Sequence, residues 1–95
     1  MKVQVELTYR AVIPEAELEI IRRAGRNLTN NPKSVSVRLV ETAEAALIIL
    51  EFTMKNQAQY KVVNEISDEV QRWLNEPLDN IAIRFEPMRS RSSKL

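Results

Sequence analysis

Two hydrophobic periods alternate along this chain, and their order limits the fold more than any other feature. Every second residue from Val3 to Tyr9 is apolar, the period of two that a half-buried strand requires. The same period recurs at residues 34–39, 46–54 and 81–86. Apolar residues recur at helical spacing between the first and second of these segments, and again between the third and fourth. The predicted order is strand, helix, strand, strand, helix, strand.

The first predicted helix begins near Pro14, which suits a first turn because its missing N–H would have no partner there. Acidic residues follow at positions 15, 17 and 19, where the helix dipole favours negative charge. The Asn30-Asn31-Pro32 segment ends the helix. Its predicted buried stripe consists of Leu18, Ile21, Ala24, Gly25 and Leu28, with Ile20 widening it.

The second predicted helix begins at Asn56, which can cap it together with Gln59, and continues to about Asn75. Its predicted apolar stripe consists of Val62, Val63, Ile66, Val70, Trp73 and Leu74, with Tyr60 at the edge. We expect Trp73 and Tyr60 to serve packing and not ligand binding.

This pattern predicts an α+β, ferredoxin-like β-α-β-β-α-β fold, with a four-stranded antiparallel sheet and two helices on one face. Right-handed crossovers place the first and third strands in the centre of the sheet. Residues 1–88 form the single predicted domain. Residues 89–95 are polar and basic, with no apolar period, and are predicted to be a disordered tail.

Two stretches, RAGRNLTNNP at residues 23–32 and EFTMKNQAQYKVV at residues 51–63, resemble a group of short cyanobacterial proteins with no attached activity. The resemblance extends over most of the predicted domain. Neither stretch is a mechanistic motif. The resemblance therefore implies a small intracellular protein of this fold and nothing about its chemistry.

Missing residue types exclude several kinds of chemistry. The chain has no cysteine and no histidine, which excludes disulfides, thiolate catalysis, histidine bases and the usual zinc sites. Gly25 is its only glycine, so neither a P-loop nor a dinucleotide-binding fingerprint can be formed. We expect no enzyme activity, no catalytic residue, no cofactor and no metal. An enzyme would have to rely on carboxylates, lysine, tyrosine and hydroxyls.

The face of the sheet away from the helices is the main predicted binding surface, because apolar residues there are grouped with mixed charges. We expect a protein partner, either another protein or a second copy in a homodimer. The predicted interface residues are Val40, Leu47, Ile49, Arg38, Arg84 and Glu51.

A basic patch supports an alternative function, nucleic-acid binding. It consists of Arg22, Arg23, Arg26 and Lys33, and the basic tail would assist it. Two observations disfavour nucleic acid as a partner. Residues 1–88 carry 11 basic and 13 acidic side chains, a net charge of −2, and the central strands offer no aromatic residue on their open side for base stacking.

Two further predictions concern charge and location. Glu65, Asp68 and Glu69 could hold a hard cation weakly, but a solvated helix face is the preferred interpretation. The chain has no apolar run of membrane-spanning length, and its first residues alternate in polarity, unlike a signal peptide. We therefore expect no membrane association and a cytoplasmic location.

Overall fold

The computed structural model describes residues 1–55 and 59–86, with the side chains of Gln59 and Tyr60 left aside. The elements are β1 (Lys2–Tyr9), α1 (Glu15–Leu28), a short 3-10 helix (Pro32–Ser34), β2 (Ser36–Glu41), β3 (Ala46–Thr53), α2 (Gln59–Arg72) and β4 (Asn80–Glu86). This order matches the one predicted from the two hydrophobic periods.

The four strands form one antiparallel sheet in the order β2-β3-β1-β4. Strands β1 and β3 are central, and both helices pack on one face, so the α+β, ferredoxin-like prediction is confirmed. None of the helices in the described part of the chain is long and apolar enough to cross a membrane.

The core lies between the helices and one face of the sheet. Strand β1 contributes Val3, Val5, Leu7 and Tyr9, all fully buried, whereas the residues between them are only partly covered. The other fully or nearly fully buried members are Ile21 and Ala24 from α1, Ala46, Ile48, Leu50 and Phe52 from β3, and Val62, Ile66 and Val70 from α2. The predicted faces of β3 and α1 are therefore confirmed.

Gly25 lets α1 approach the sheet closely. A Cβ atom at this position would lie 2.8 Å from Leu50 Cδ1 and 3.1 Å from Val35 Cγ1, closer than carbon atoms normally pack. The only glycine of the chain thus serves helix-to-sheet contact and not a ligand loop.

The structure differs from the sequence-based expectation near the end of α2. The helix ends at Arg72 instead of about Asn75, and Trp73 is 58% exposed instead of packing with the apolar stripe. The prediction for Trp73 was therefore wrong. The physical reason is that the backbone N–H groups of Asn75 and Glu76 bond to a buried side chain, described below, instead of continuing the helix.

A second difference concerns the start of β2, which begins at Ser36 instead of residue 34. The 3-10 helix occupies Pro32–Ser34, and the Ser34 hydroxyl accepts a hydrogen bond from the backbone N–H of Thr53 at 3.0 Å. Thr29, at the end of α1, also bonds to Ser34. The predicted cap at Asn56 and the predicted tail lie outside the described residues.

Replacing Leu50 or Ile66 with alanine should lower the free energy of unfolding by about 2 to 5 kcal/mol, because both side chains are fully buried. Leu50 of β3 lies next to Gly25 of α1, and Ile66 belongs to the buried side of α2. Urea unfolding followed by circular dichroism measures the loss. Val12→Ala, at a residue that is 84% exposed in the loop before α1, is the control and should cost under about 0.5 kcal/mol. Equal losses in all three variants would show that the core is assigned wrongly.

Candidate functional site

The face of the sheet opposite the helices, here called the open face, is the largest candidate site. Both helices pack on the other face, so neither covers it. The pairing register assigns to it Lys2, Gln4, Glu6 and Thr8 of β1, Ser36, Arg38 and Val40 of β2, Leu47, Ile49, Glu51 and Thr53 of β3, and Ala82, Arg84 and Glu86 of β4. All six predicted interface residues therefore share one surface.

The apolar part of the open face lies at the β2–β3 corner. Val40 and Leu47 are direct cross-strand partners, and Thr8 lies beyond Leu47 on β1. Val40 is 46% exposed and Leu47 is partly exposed. This pair, here called the apolar corner, offers a partner an accessible hydrophobic surface.

Ile49 contributes less to this surface than expected, because only 9% of it is exposed. Its register partners on the open face are Arg38 and Glu6. We attribute its burial to such neighbours, since the alkyl stems of long charged side chains can cover an apolar group while their heads stay in water. Ile49 already has most of its surface removed from water in a single copy of the chain.

The charged part of the open face is internally paired. Arg84 Nη2 lies 3.7 Å from Glu6 Oε1, and Lys2 Nζ lies 3.9 Å from Glu51 Oε2. Gln4 also donates to Glu51, at 3.1 Å. The face carries three basic side chains, Lys2, Arg38 and Arg84, and three acidic side chains, Glu6, Glu51 and Glu86. It is electrically neutral as a whole.

The predicted basic patch is partly neutralised. Arg22 Nη1 lies 2.5 Å from Glu19 Oε1, and Arg26 Nη1 lies 3.8 Å from the other oxygen of the same carboxylate. Lys33 lies beyond the helix, in the 3-10 turn. One carboxylate thus bridges two of the four cations, which weakens the patch as a site for a polyanion.

The acidic residues of α2 do not converge on one point. Glu69 accepts a hydrogen bond from Asn27 at 3.0 Å and lies 3.7 Å from Arg72, whereas Glu65 and Asp68 are exposed. Within residues 1–55 and 59–86, no three acidic side chains are close enough together to hold a metal ion.

Glu17 is the most unusual polar residue in the structure, and the sequence analysis missed its role. It is a buried carboxylate, only 1% exposed. One oxygen accepts the backbone N–H of Asn75 at 3.1 Å, and the other accepts the N–H of Glu76 at 3.1 Å and the Tyr9 hydroxyl at 3.4 Å. The sequence does contain a signal for the burial of Glu17, because this residue lies one helical turn before Ile21 of the apolar stripe.

Tyr9 is held in its protonated form by this arrangement. Burial raises the pKa of its phenol far above the usual range, and the charge of Glu17 adds to the effect, as does the hydrogen bond to it. A phenol that keeps its proton can donate a hydrogen bond but cannot act as a base near neutral pH. Both Glu17 oxygens are already in use, so we interpret the pair as an anchor for the turn between α2 and β4.

Glu17→Gln should lower the free energy of unfolding by about 1 to 3 kcal/mol, because one of two buried acceptors becomes an amide that faces a backbone N–H. Amide hydrogen exchange should speed up at Asn75 and Glu76, the residues it anchors. Glu15→Gln, an exposed change in the same helical turn, is the control and should alter neither quantity. Identical behaviour of the two variants would contradict the anchor.

The stability should also depend on pH through Tyr9. Above pH about 10, the ordinary pKa of tyrosine, the unfolded chain releases a phenol proton that the folded protein keeps. The folded state then binds more protons, so the free energy of unfolding falls as pH rises. Tyr9→Phe lacks this contribution and should lose stability less steeply in urea unfolding between pH about 8 and 11. Parallel slopes for the two proteins would rule the effect out.

Comparison with known proteins adds no relative. No family model matches the chain, and neither the curated proteins nor the solved structures give a significant match. The resemblance to the cyanobacterial group stays a prediction, and the function has to be argued from the surfaces described above.

Proposed function

We propose that this protein is a small non-enzymatic interaction module that forms a homodimer through the open face of its sheet. The observation that carries the proposal is the apolar corner, Val40 paired with Leu47, exposed on a sheet face that neither helix covers. Antiparallel sheets with a wet face normally show polar residues there, so exposed apolar residues favour a partner.

The pattern of β3 supports the same proposal. Its core-facing residues Ile48, Leu50 and Phe52 are fully or nearly fully buried, so this side of the strand already packs against the helices. Leu47 adds partly exposed apolar surface on the other side, where folding of a single copy does not require it. A second copy would bury Leu47 and Val40 away from water.

Charge favours a second copy over a polyanion. The open face is neutral, so two copies brought together by a twofold axis do not repel each other. Arg38, which has no ion pair within residues 1–55 and 59–86, can approach an acidic residue of the other copy. A nucleic acid would require a positive surface, and the basic patch is partly occupied by Glu19. An enzyme would require carboxylates or lysines available to a substrate, whereas Lys2, Glu51 and Glu6 are paired.

The module is proposed to work in the cytoplasm. A chain without cysteine forms no disulfide and does not depend on an oxidising compartment.

The homodimer is tested with the double variant Val40→Lys/Leu47→Lys in light scattering coupled to gel filtration. The unchanged protein should be a dimer at about 100 µM, and the variant a folded monomer, because two charges in an apolar contact cost more than a small interface returns. Val40 and Leu47 are better targets than Ile49, whose burial within one copy means that a lysine there would disturb folding.

The control is Val12→Lys/Val63→Lys, which introduces two lysines at exposed valines away from the open face, and it should stay dimeric. Circular dichroism and thermal unfolding show whether each variant is folded. A monomeric unchanged protein at this concentration, or a dimeric Val40→Lys/Leu47→Lys variant, would refute self-association through the open face.

A further inference from the structure

A groove between the two helices lies on the opposite side of the molecule from the open face. It has a volume of about 340 Å³ and is lined by Ile20, Arg23, Asn27 and Trp73. The first three residues lie on one side of α1, and Trp73 directly follows α2. Trp73 is more than half exposed, although burying a tryptophan removes far more apolar surface from water than burying a small apolar residue does.

The contacts described above fix the shape of this groove. Asn27 Nδ2 donates to Glu69 Oε2 at 3.0 Å, which ties α1 to α2 beside the groove. Glu69 and Trp73 are one helical turn apart, so Trp73 lies next to this contact. Because Glu17 holds the backbone of Asn75 and Glu76, the chain leaves the helix at Arg72 and Trp73 stays on the outside.

Arg23 is the cation that lines the groove, and the described residues provide no ion pair for it. Neighbouring Arg22 and Arg26 share Glu19, while Glu69 is engaged by Asn27 and Arg72. The carboxylates of Glu19 and Glu69 are therefore already in use. Arg23 presents a guanidinium group, suited to binding a carboxylate through two hydrogen bonds, beside an apolar surface.

We propose that the groove docks a peptide segment of a partner protein that carries a large apolar side chain next to a single carboxylate. Trp73 and Ile20 contact the apolar side chain, and Arg23 binds the carboxylate. Tryptophan and arginine are the residue types that most often dominate binding energy at protein interfaces. This docking is separate from the proposed homodimer, because the two surfaces lie on opposite faces of the sheet and helix layers.

A short peptide fits this groove better than a single-stranded nucleic acid. The groove offers one cation, with no ion pair in the described part of the chain, and an apolar wall, which suit one carboxylate and one apolar side chain. A polyanion would also meet the net charge of −2 carried by residues 1–88, whereas a peptide with one charge is affected mainly by Arg23. With one anchor and one partly exposed ion pair, we expect a dissociation constant of about 10 µM to 1 mM.

Trp73 is the only tryptophan of the chain, so its fluorescence reports directly on the groove. The probe is a capped pentapeptide that contains one leucine, one phenylalanine and one glutamate and has no charged ends. One control peptide replaces the glutamate with glutamine, and a second replaces both apolar residues with alanine. A ten-nucleotide single-stranded thymidine oligomer is the competing class of ligand.

The glutamate peptide should give a saturable shift of the Trp73 emission, and the alanine peptide none. Arg23→Gln should weaken binding of the glutamate peptide about tenfold and change binding of the glutamine peptide less than about twofold. Arg26→Gln is the matched control, since Arg26 already pairs with Glu19, and it should change either affinity less than about twofold. Ile20→Ala should weaken both peptides.

Three results would overturn the proposal. The first is the absence of a saturable change up to about 2 mM glutamate peptide. The second is equal weakening by Arg23→Gln and Arg26→Gln, which would show a general charge effect instead of a site. The third is tighter binding of the thymidine oligomer than of the peptide, which would assign the groove to single-stranded nucleic acid.

Discussion

The rest of the structure depends on the burial of one side of β1. This strand pairs with β3 on one edge and β4 on the other, and its apolar residues from Val3 to Tyr9 are fully buried under the helices. Because strand side chains alternate, the same burial forces the polar residues of β1 onto the open face. Which residues form that face is thus a consequence of how the core is built.

Glu17 links this core to the surface. A buried carboxylate is costly unless its oxygens are hydrogen bonded, and Glu17 obtains partners from Tyr9 and from the backbone of the turn after α2. The hydrogen bonds from Asn75 and Glu76 to this carboxylate end α2 at Arg72 and leave Trp73 exposed on the surface. One buried polar group therefore shapes both the turn and the groove between the helices.

The two proposed binding surfaces differ in what they can recognise. The open face is broad and electrically neutral, with an apolar corner at Val40 and Leu47, which suits a second copy of the same surface. The groove is narrow and combines Trp73 with the cation Arg23, which suits a single side chain and its neighbouring charge. Both surfaces can be occupied at once, since the core lies between them.

The sequence by itself determined the order of elements, the central position of β1 and β3, and the faces of most strands and helices. These features follow from hydrophobic periods that are readable over ten or so residues, because burial on one side imposes them locally. The same periods placed Val40, Leu47 and Arg84 on one surface. The tertiary structure alone decided how far Ile49 is covered, where α2 ends and which way Trp73 faces. Those outcomes depend on partners distant in the chain, such as Glu17 and Asn75, which are 58 positions apart. A buried carboxylate selects such partners only when the helices and the sheet have come together.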